Sequence, residues 1–174
     1  MLLIHAVQKI LDTSRIQASL HIGTPSEGQQ LYSWYAALAS TGLRGKLLVI
    51  YVHEPSLMTV VCEGKTIKGT IEEFRTRLHL LLMRYGLPAD FIQREMELTG
   101  EYTVSKTDSK RMLGKINALK EVIREVVYST PASDPIGRDR LGDIMMEYPN
   151  WEVGNKSLTS ALEYLRRVSR QTSL

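Results

Sequence analysis

The chain has 174 residues, 43% of them hydrophobic and 24% charged, which suits one globular domain with a modest core and a small appendage. The formal net charge of +3, with a pI near 9.0, permits nucleic-acid binding without arguing for it, because dedicated binders carry a denser stripe of Lys and Arg. A single cysteine, Cys62, excludes an intrachain disulfide and any multi-cysteine zinc site, and a reducing, cytoplasmic setting fits.

The N-terminus, MLLIHAVQKIL, is apolar but has no basic leader and no small-residue cleavage site, so it does not read as a signal peptide. No stretch approaches the roughly 20 apolar residues of a membrane helix, and no membrane association is expected. Met1 to His5 reads as a short buried strand and Val7 to Leu11 as a brief helix. From Arg15 to Ile22 apolar and polar residues alternate, the period of a half-buried strand. Thr24-Pro25-Ser26-Glu27 has capping-box spacing. With Leu31, Trp34, Tyr35 and Leu38 at helical intervals and Gly42 as a stop, it predicts a helix with Trp34 as a core anchor.

Lys46 to Val52 is the strongest strand, continuous and β-branched, with Leu57 to Cys62 as its antiparallel partner across a turn at His53 to Ser56. Cys62 reads as a small buried hydrophobe. Thr70-x-x-Glu73 predicts a capped helix whose buried stripe runs from Ile71 through Phe74, Leu78 and Leu82 to Tyr85, stopped by Gly86 and Pro88. A short helix over Pro88 to Leu98 and a strand over Glu101 to Val104 follow. The longest helix then runs from about Asp108 to Val127, its apolar stripe Met112, Ile116, Leu119, Ile123 and Val126 spaced four, three, four, three. STPASDPIG, residues 129–137, reads as a linker. Beyond it lie an ambiguous segment to Met146, a loop around Tyr148 to Trp151, and a helix from about Ser157 to Ser169.

These elements predict an α+β fold: a small mixed sheet from strands near 1–5, 15–22, 46–52, 57–62 and 101–105, packed by helices 70–85 and 108–127. Residues 1–128 form the core domain and 138–174 a C-terminal helical extension, which is also the candidate contact for a homodimer.

No phosphate-binding loop, dinucleotide fingerprint, zinc-protease helix or nucleophile elbow is present, and no cofactor or metal is implied. The four histidines are scattered, and no carboxylate pair faces itself on one helix. One region breaks a local rule. The turn into the long helix holds Lys106, Lys110 and Arg111, with Lys115 one turn further on, all near the positive end of the helix dipole. Arg111 and Lys115 are like-charged neighbours four apart. An anion at the helix start would relieve both conflicts, whether phosphate, nucleic-acid backbone or the carboxylates of an acidic protein. The plainer alternative is that Glu101 or other acidic side chains neutralise the cluster within the fold.

The leading expectation is a non-enzymatic module holding an acidic partner, protein or nucleic acid, on Lys106, Thr107, Lys110, Arg111 and Lys115. A small enzyme acting on RNA or a nucleotide phosphate is the second reading. It requires a pocket joining His5, Trp34, Tyr102 and Asn117 to that turn, with His5 or Tyr102 for proton transfer. A structural protein that oligomerises through its C-terminal helix is the third.

Lys106-Thr107-x-x-Lys110-x-x-Leu113-Gly114-x-x-Asn117 resembles the K-T-x-x-R-x-x-L-G-x-M-N signature of a family of uncharacterised bacterial proteins. Gln8-Lys9-Ile10-Leu11, Trp34-Tyr35-Ala36-Ala37-Leu38 and Arg44-Gly45-Lys46-Leu47-Leu48 resemble its earlier blocks, so the likeness covers roughly Met1 to Tyr128. Lys110 stands where the family pattern has Arg, and its Asn after the central strand is matched at neither Tyr51 nor Val52. Losing an Arg fork weakens a bidentate anion clamp. The resemblance implies a domain outline, with no assigned activity, in proteins similar to the cargo of mobile elements.

Overall fold

The computed structural model describes residues 1–19, 28–41, 45–107, 109–129, 138–147, 149–151 and 158–171. Its elements are β1 (Leu2–Ala6), α1 (Gln8–Ser14), β2 (Ser33–Ser40), β3 (Leu47–His53), β4 (Thr59–Glu63), α2 (Ile67–Arg84), α3 (Ala89–Leu98), β5 (Tyr102–Lys106), α4 (Lys110–Ser129), α5 (Arg138–Glu147), β6 (Pro149–Trp151), β7 (Leu158–Ser160) and α6 (Ala161–Gln171). The fold is α+β, as expected. A five-stranded mixed sheet has the order β4-β3-β2-β1-β5, and β6 and β7 form a separate antiparallel pair. β5, β1 and β2 run parallel, while β3 and β4 are antiparallel to their neighbours.

Each face of the sheet is covered. Alternate residues send Ile4, Trp34, Ala36, Val49 and Tyr51 to one core with Ile10 of α1, Phe74 of α2, Phe91 of α3 and Leu165 of α6. Tyr35, Ala37, Ala39, Ile50 and Val52 face the other way, against Met112, Ile116 and Ile123 of α4 and Leu141 and Met145 of α5. Burying both surfaces is what lets β1, β2 and β3 be apolar almost throughout.

The helix expected around Trp34 is β2, the middle strand. In a sheet covered on both sides alternation disappears, and an Ala-rich run with Leu31, Trp34 or Tyr35, and Leu38 three or four apart mimics a helical stripe. The three alanines give the helices room to approach, while the backbone pairs with β1 on one side and β3 on the other. Trp34 is a core anchor nonetheless, with 0% exposure, its indole N–H donating to the Leu31 carbonyl at 2.9 Å and its ring edge-on to Phe74. The capping box at 24–27 and the stop at Gly42 lie outside the described residues.

The expected strand at 15–22 is also not a ladder strand. Arg15 adopts left-handed φ of 52° and ends α1, and 16–19 runs on as irregular chain. Ile16 and Ala18 still pack on the core, and the Ser19 N–H donates to the Val104 carbonyl on the outer edge of β5 at 2.8 Å. Positions 20–22 lie outside the described residues.

α2 begins one turn earlier than expected, because Thr66 caps it, accepting from the Gly69 N–H at 3.2 Å. The Thr70 hydroxyl instead donates to the Thr66 carbonyl and meets the buried Tyr51 hydroxyl at 2.8 Å. The ambiguous segment before Met146 is α5. Its Asp143 receives both contacts of Arg84 Nη1, at 2.7 and 2.8 Å, tying α5 to α2. The expected loop at 149–151 is β6. α6 starts at Ala161 because Ser160 and Glu163 form a reciprocal capping box, at 3.2 and 2.9 Å. The expected linker, beyond Ser129, lies outside the described residues.

Candidate functional site

β1 and β5 are neighbouring parallel strands whose following helices go to opposite faces. α1 buries Ile10 and Leu11 in the first core, and α4 buries Met112 and Ile116 in the second. Such a divergence is the topological switch point at which, in open parallel sheets, ligands usually bind outside the carboxyl ends of the strands. Here those ends are Ala6 and Lys106, and the expected basic turn, Lys106 to Arg111, begins at the second of them.

The ladder continues one step past β5, with the Thr107 N–H donating to the Ala6 carbonyl at 3.1 Å. Strand alternation then places Thr107 with Thr103 and Ser105 on the face that α4 covers. Thr107 is 8% exposed, and its hydroxyl oxygen is buried with no hydrogen-bond partner among the described residues. Ser109 caps α4, its hydroxyl accepting from the Met112 N–H at 3.3 Å and its carbonyl from Leu113 at 3.0 Å. Asp108 lies outside the described residues. The first turn of α4 has no acidic residue.

Lys106, Lys110 and Arg111 are exposed. Among the described residues, the ion pairs use Arg75, Arg77, Arg84 and Arg124, each with a carboxylate, and none takes Lys106, Lys110 or Arg111. None joins Glu101 to the cluster either. The Lys115 ammonium is held below its ordinary range by burial and then by the neighbouring Arg111. Lys120 is lowered in the same way, by burial and then by Lys9, the second residue of α1. Two like-charged pairs thus extend the positive surface onto both helices. Lys9 and Lys120 were not singled out from the sequence, because only the strand order brings Lys9, at the start of α1, within electrostatic reach of Lys120 on α4.

His5 is the register partner of Ser105. Its Nδ1 lies 3.0 Å from the Ser105 hydroxyl, and its ring stacks on Tyr35 at 4.7 Å. Ser105 was also missed. It is 4% exposed, so the pair is better placed to fix the imidazole than to present a nucleophile. Trp34 and Tyr102 belong to the opposite face from His5, packed with the first core, and Asn117 is exposed on α4. Strand alternation therefore places Thr107 on the α4 face with Ser105 and His5 and sends Lys106 to the other face with Tyr102 and Val104, where Trp34 also lies, while Lys110, Arg111 and Lys115 follow on α4.

A model of one family spans residues 3 to 161, well over half of the chain. The protein belongs to the DUF6933 domain family. Its description is a domain of unknown function, so membership fixes the outline of the domain and assigns no chemistry. The DUF6933 match runs through α5 and β6, beyond the Tyr128 limit of the motif resemblance. No curated protein matches the chain.

Elsewhere, a shallow depression lies between β4, α2 and α5. The Arg77 and Arg84 on its rim are paired with Glu73 and Asp143, so it has little charge to offer a ligand. Among the described residues no group of three His, Cys, Asp or Glu side chains could hold a metal ion, and no helix is long and apolar enough to cross a membrane.

Proposed function

We propose that this member of the DUF6933 family is a binding module that holds an acidic partner at the β5–α4 turn, and that the partner is a nucleic acid. The observation that carries the reading is the contrast in ion pairing. Arg75, Arg77, Arg84 and Arg124 have carboxylates, while Lys106, Lys110 and Arg111 have none among the described residues. The spread of cations from Lys9 and Lys120 to Lys106 favours a chain of phosphates over a single acidic side chain, since each neutralised phosphate releases counterions. A reducing compartment accords with the buried thiol of Cys62.

Single-stranded and duplex oligonucleotides titrated across a salt series test the proposal. Replacing Lys106, Lys110 and Arg111 together with Ala is expected to weaken binding and to flatten the slope of log K against log salt by about 2–3. An unchanged slope would remove the turn from the interface. Tighter binding of an acidic peptide than of any oligonucleotide would replace nucleic acid with protein as the partner.

A further inference from the structure

We infer that the switch point at the ends of β1 and β5 is a seat for one phosphoryl group, with the Thr107 hydroxyl as its buried contact. The inference rests on the binding reading above and adds the chemistry of the anchoring group.

Three independent features converge on that place. The first is the divergence of α1 and α4 from adjacent parallel strands, which puts the start of α4, a 20-residue helix, at the switch point. Ser109 occupies the Met112 and Leu113 N–H groups, so the N–H groups of Lys110 and Arg111 are the ones an α-helix leaves without an internal acceptor. The second is Thr107, whose buried hydroxyl has no partner among the described residues. Such a hydroxyl is costly to maintain, and few survive in folded proteins without a reason. Its main chain is pinned to β1 through Ala6, and alternation turns the side chain to the α4 face, beneath the helix start. The third is the charge. Lys110 and Arg111 open a helix whose first turn holds no carboxylate, Lys106 ends the strand before it, and among the described residues none of the three has an ion-pair partner.

The donor set selects the ligand class. A hydroxyl, two main-chain N–H groups and two or three cations reach different oxygens only if the anion is tetrahedral. A phosphoryl group has three terminal oxygens, whereas a carboxylate has two in one plane. The same group occurs in inorganic phosphate, in a mononucleotide and at the phosphorylated end of a nucleic-acid strand. Lys115 and Arg111, already crowded by one another, would be relieved by its charge.

The experiment compares the wild-type protein with Thr107→Val, Thr107→Ser and the triple Ala variant. Thermal shift and titration calorimetry are run with inorganic phosphate, a nucleoside 5′-monophosphate, and one oligonucleotide with and without a 5′-phosphate. Thr107→Val keeps the shape and removes the hydroxyl. It is expected to melt no lower than wild type without ligand, and to bind phosphate about tenfold or more weaker. Thr107→Ser restores binding. The arm that gives the largest wild-type shift identifies the source of the phosphoryl group. The inference is overturned if wild type shows no shift with any phosphate, or if Thr107→Val binds as wild type does. It is also overturned if Thr107→Val melts lower without ligand, because the hydroxyl then has an internal role. Oligonucleotide binding that the triple variant loses and Thr107→Val retains at full strength overturns the seat and leaves the binding module standing. Binding indifferent to both variants overturns both.

Discussion

His53 and Glu95 hold the two ends of one peptide group. The Glu95 carboxylate, 0% exposed, accepts the N–H groups of Gln30 and Leu31 at 2.9 Å each, and His53 Nε2 lies 3.0 Å from the Gln30 carbonyl. A carbonyl only accepts, so Nε2 carries the proton and Nδ1, 2.8 Å from the Ser56 hydroxyl, is the acceptor. Burial pulls the His53 imidazole down to about 4 from 6.5, against the raising effect of the Gln30 carbonyl. The unfolded chain therefore takes up this proton first. Its stabilising contribution is complete above pH 6.5 and is lost as the pH falls from about 6.5 towards 4, by up to about 3 kcal/mol. Glu95 works in the opposite sense. Burial raises its carboxyl above 4.5 despite the two N–H donors, so its contribution falls as the pH climbs through that raised value. Urea melts between pH 4 and 7 are expected to show a net acid loss that His53→Gln flattens. Parallel profiles for the two proteins would take His53 out of the acid sensitivity.

Among the elements, β2 has the least room for error. Ala37 and Ala39 lie under α4, and Ala36 faces the opposite core. Ala37→Leu forces four-carbon bulk between strand and helix and is expected to cost about 1–3 kcal/mol, read as a lower urea midpoint at unchanged m-value. A substitution tolerated without loss would mean that α4 does not seat on β2 as described. This strand was also the least legible from sequence. KLLVIYV declared β3 because β-branched residues dominate it, and the four-three spacing from Met112 declared α4 because only one face of that helix is buried. SWYAALAS has neither signature, since a strand covered on both sides loses alternation and small residues score as helical. At the site the cations were visible as residues breaking a dipole rule, and Thr107 as a polar residue in the same turn. Which neighbours they would meet was not, because Lys9, Lys120, His5 and Ser105 reach them only through the placement of β5 beside β1.

Across the whole molecule, α5 and α6 contribute to both cores. Leu141 and Met145 lie in one core and Met146, Ala161, Leu165 and Val168 in the other, all nearly inaccessible. The apolar face of α6, the helix that was the candidate homodimer contact, is buried within the chain, and Arg166, Arg167 and Arg170 lie outward. Removing everything after residue 137 deletes six buried apolar side chains and exposes what they pack against. At about 1.5–3 kcal/mol for each of the five larger than Ala161, the loss rivals the whole stability of a typical domain, about 5–15 kcal/mol. The truncated chain is expected to lose its cooperative thermal transition, as followed by circular dichroism. A truncated protein with a sharp transition near that of the full chain would show that the first 137 residues fold alone.

The hydrogen bond from Ser19 to Val104 also determines how this protein can meet another chain. β4 and β5 are the two outer strands, and an outer strand with open N–H and C=O groups is a template for a foreign strand. The segment after α1 lies along β5 and takes its central carbonyl, while α5 packs against β4. Both borders are thus occupied by the molecule's own chain. A partner peptide cannot lengthen the sheet without first evicting one of these covers, and misfolded copies lack an easy seam along which to stack.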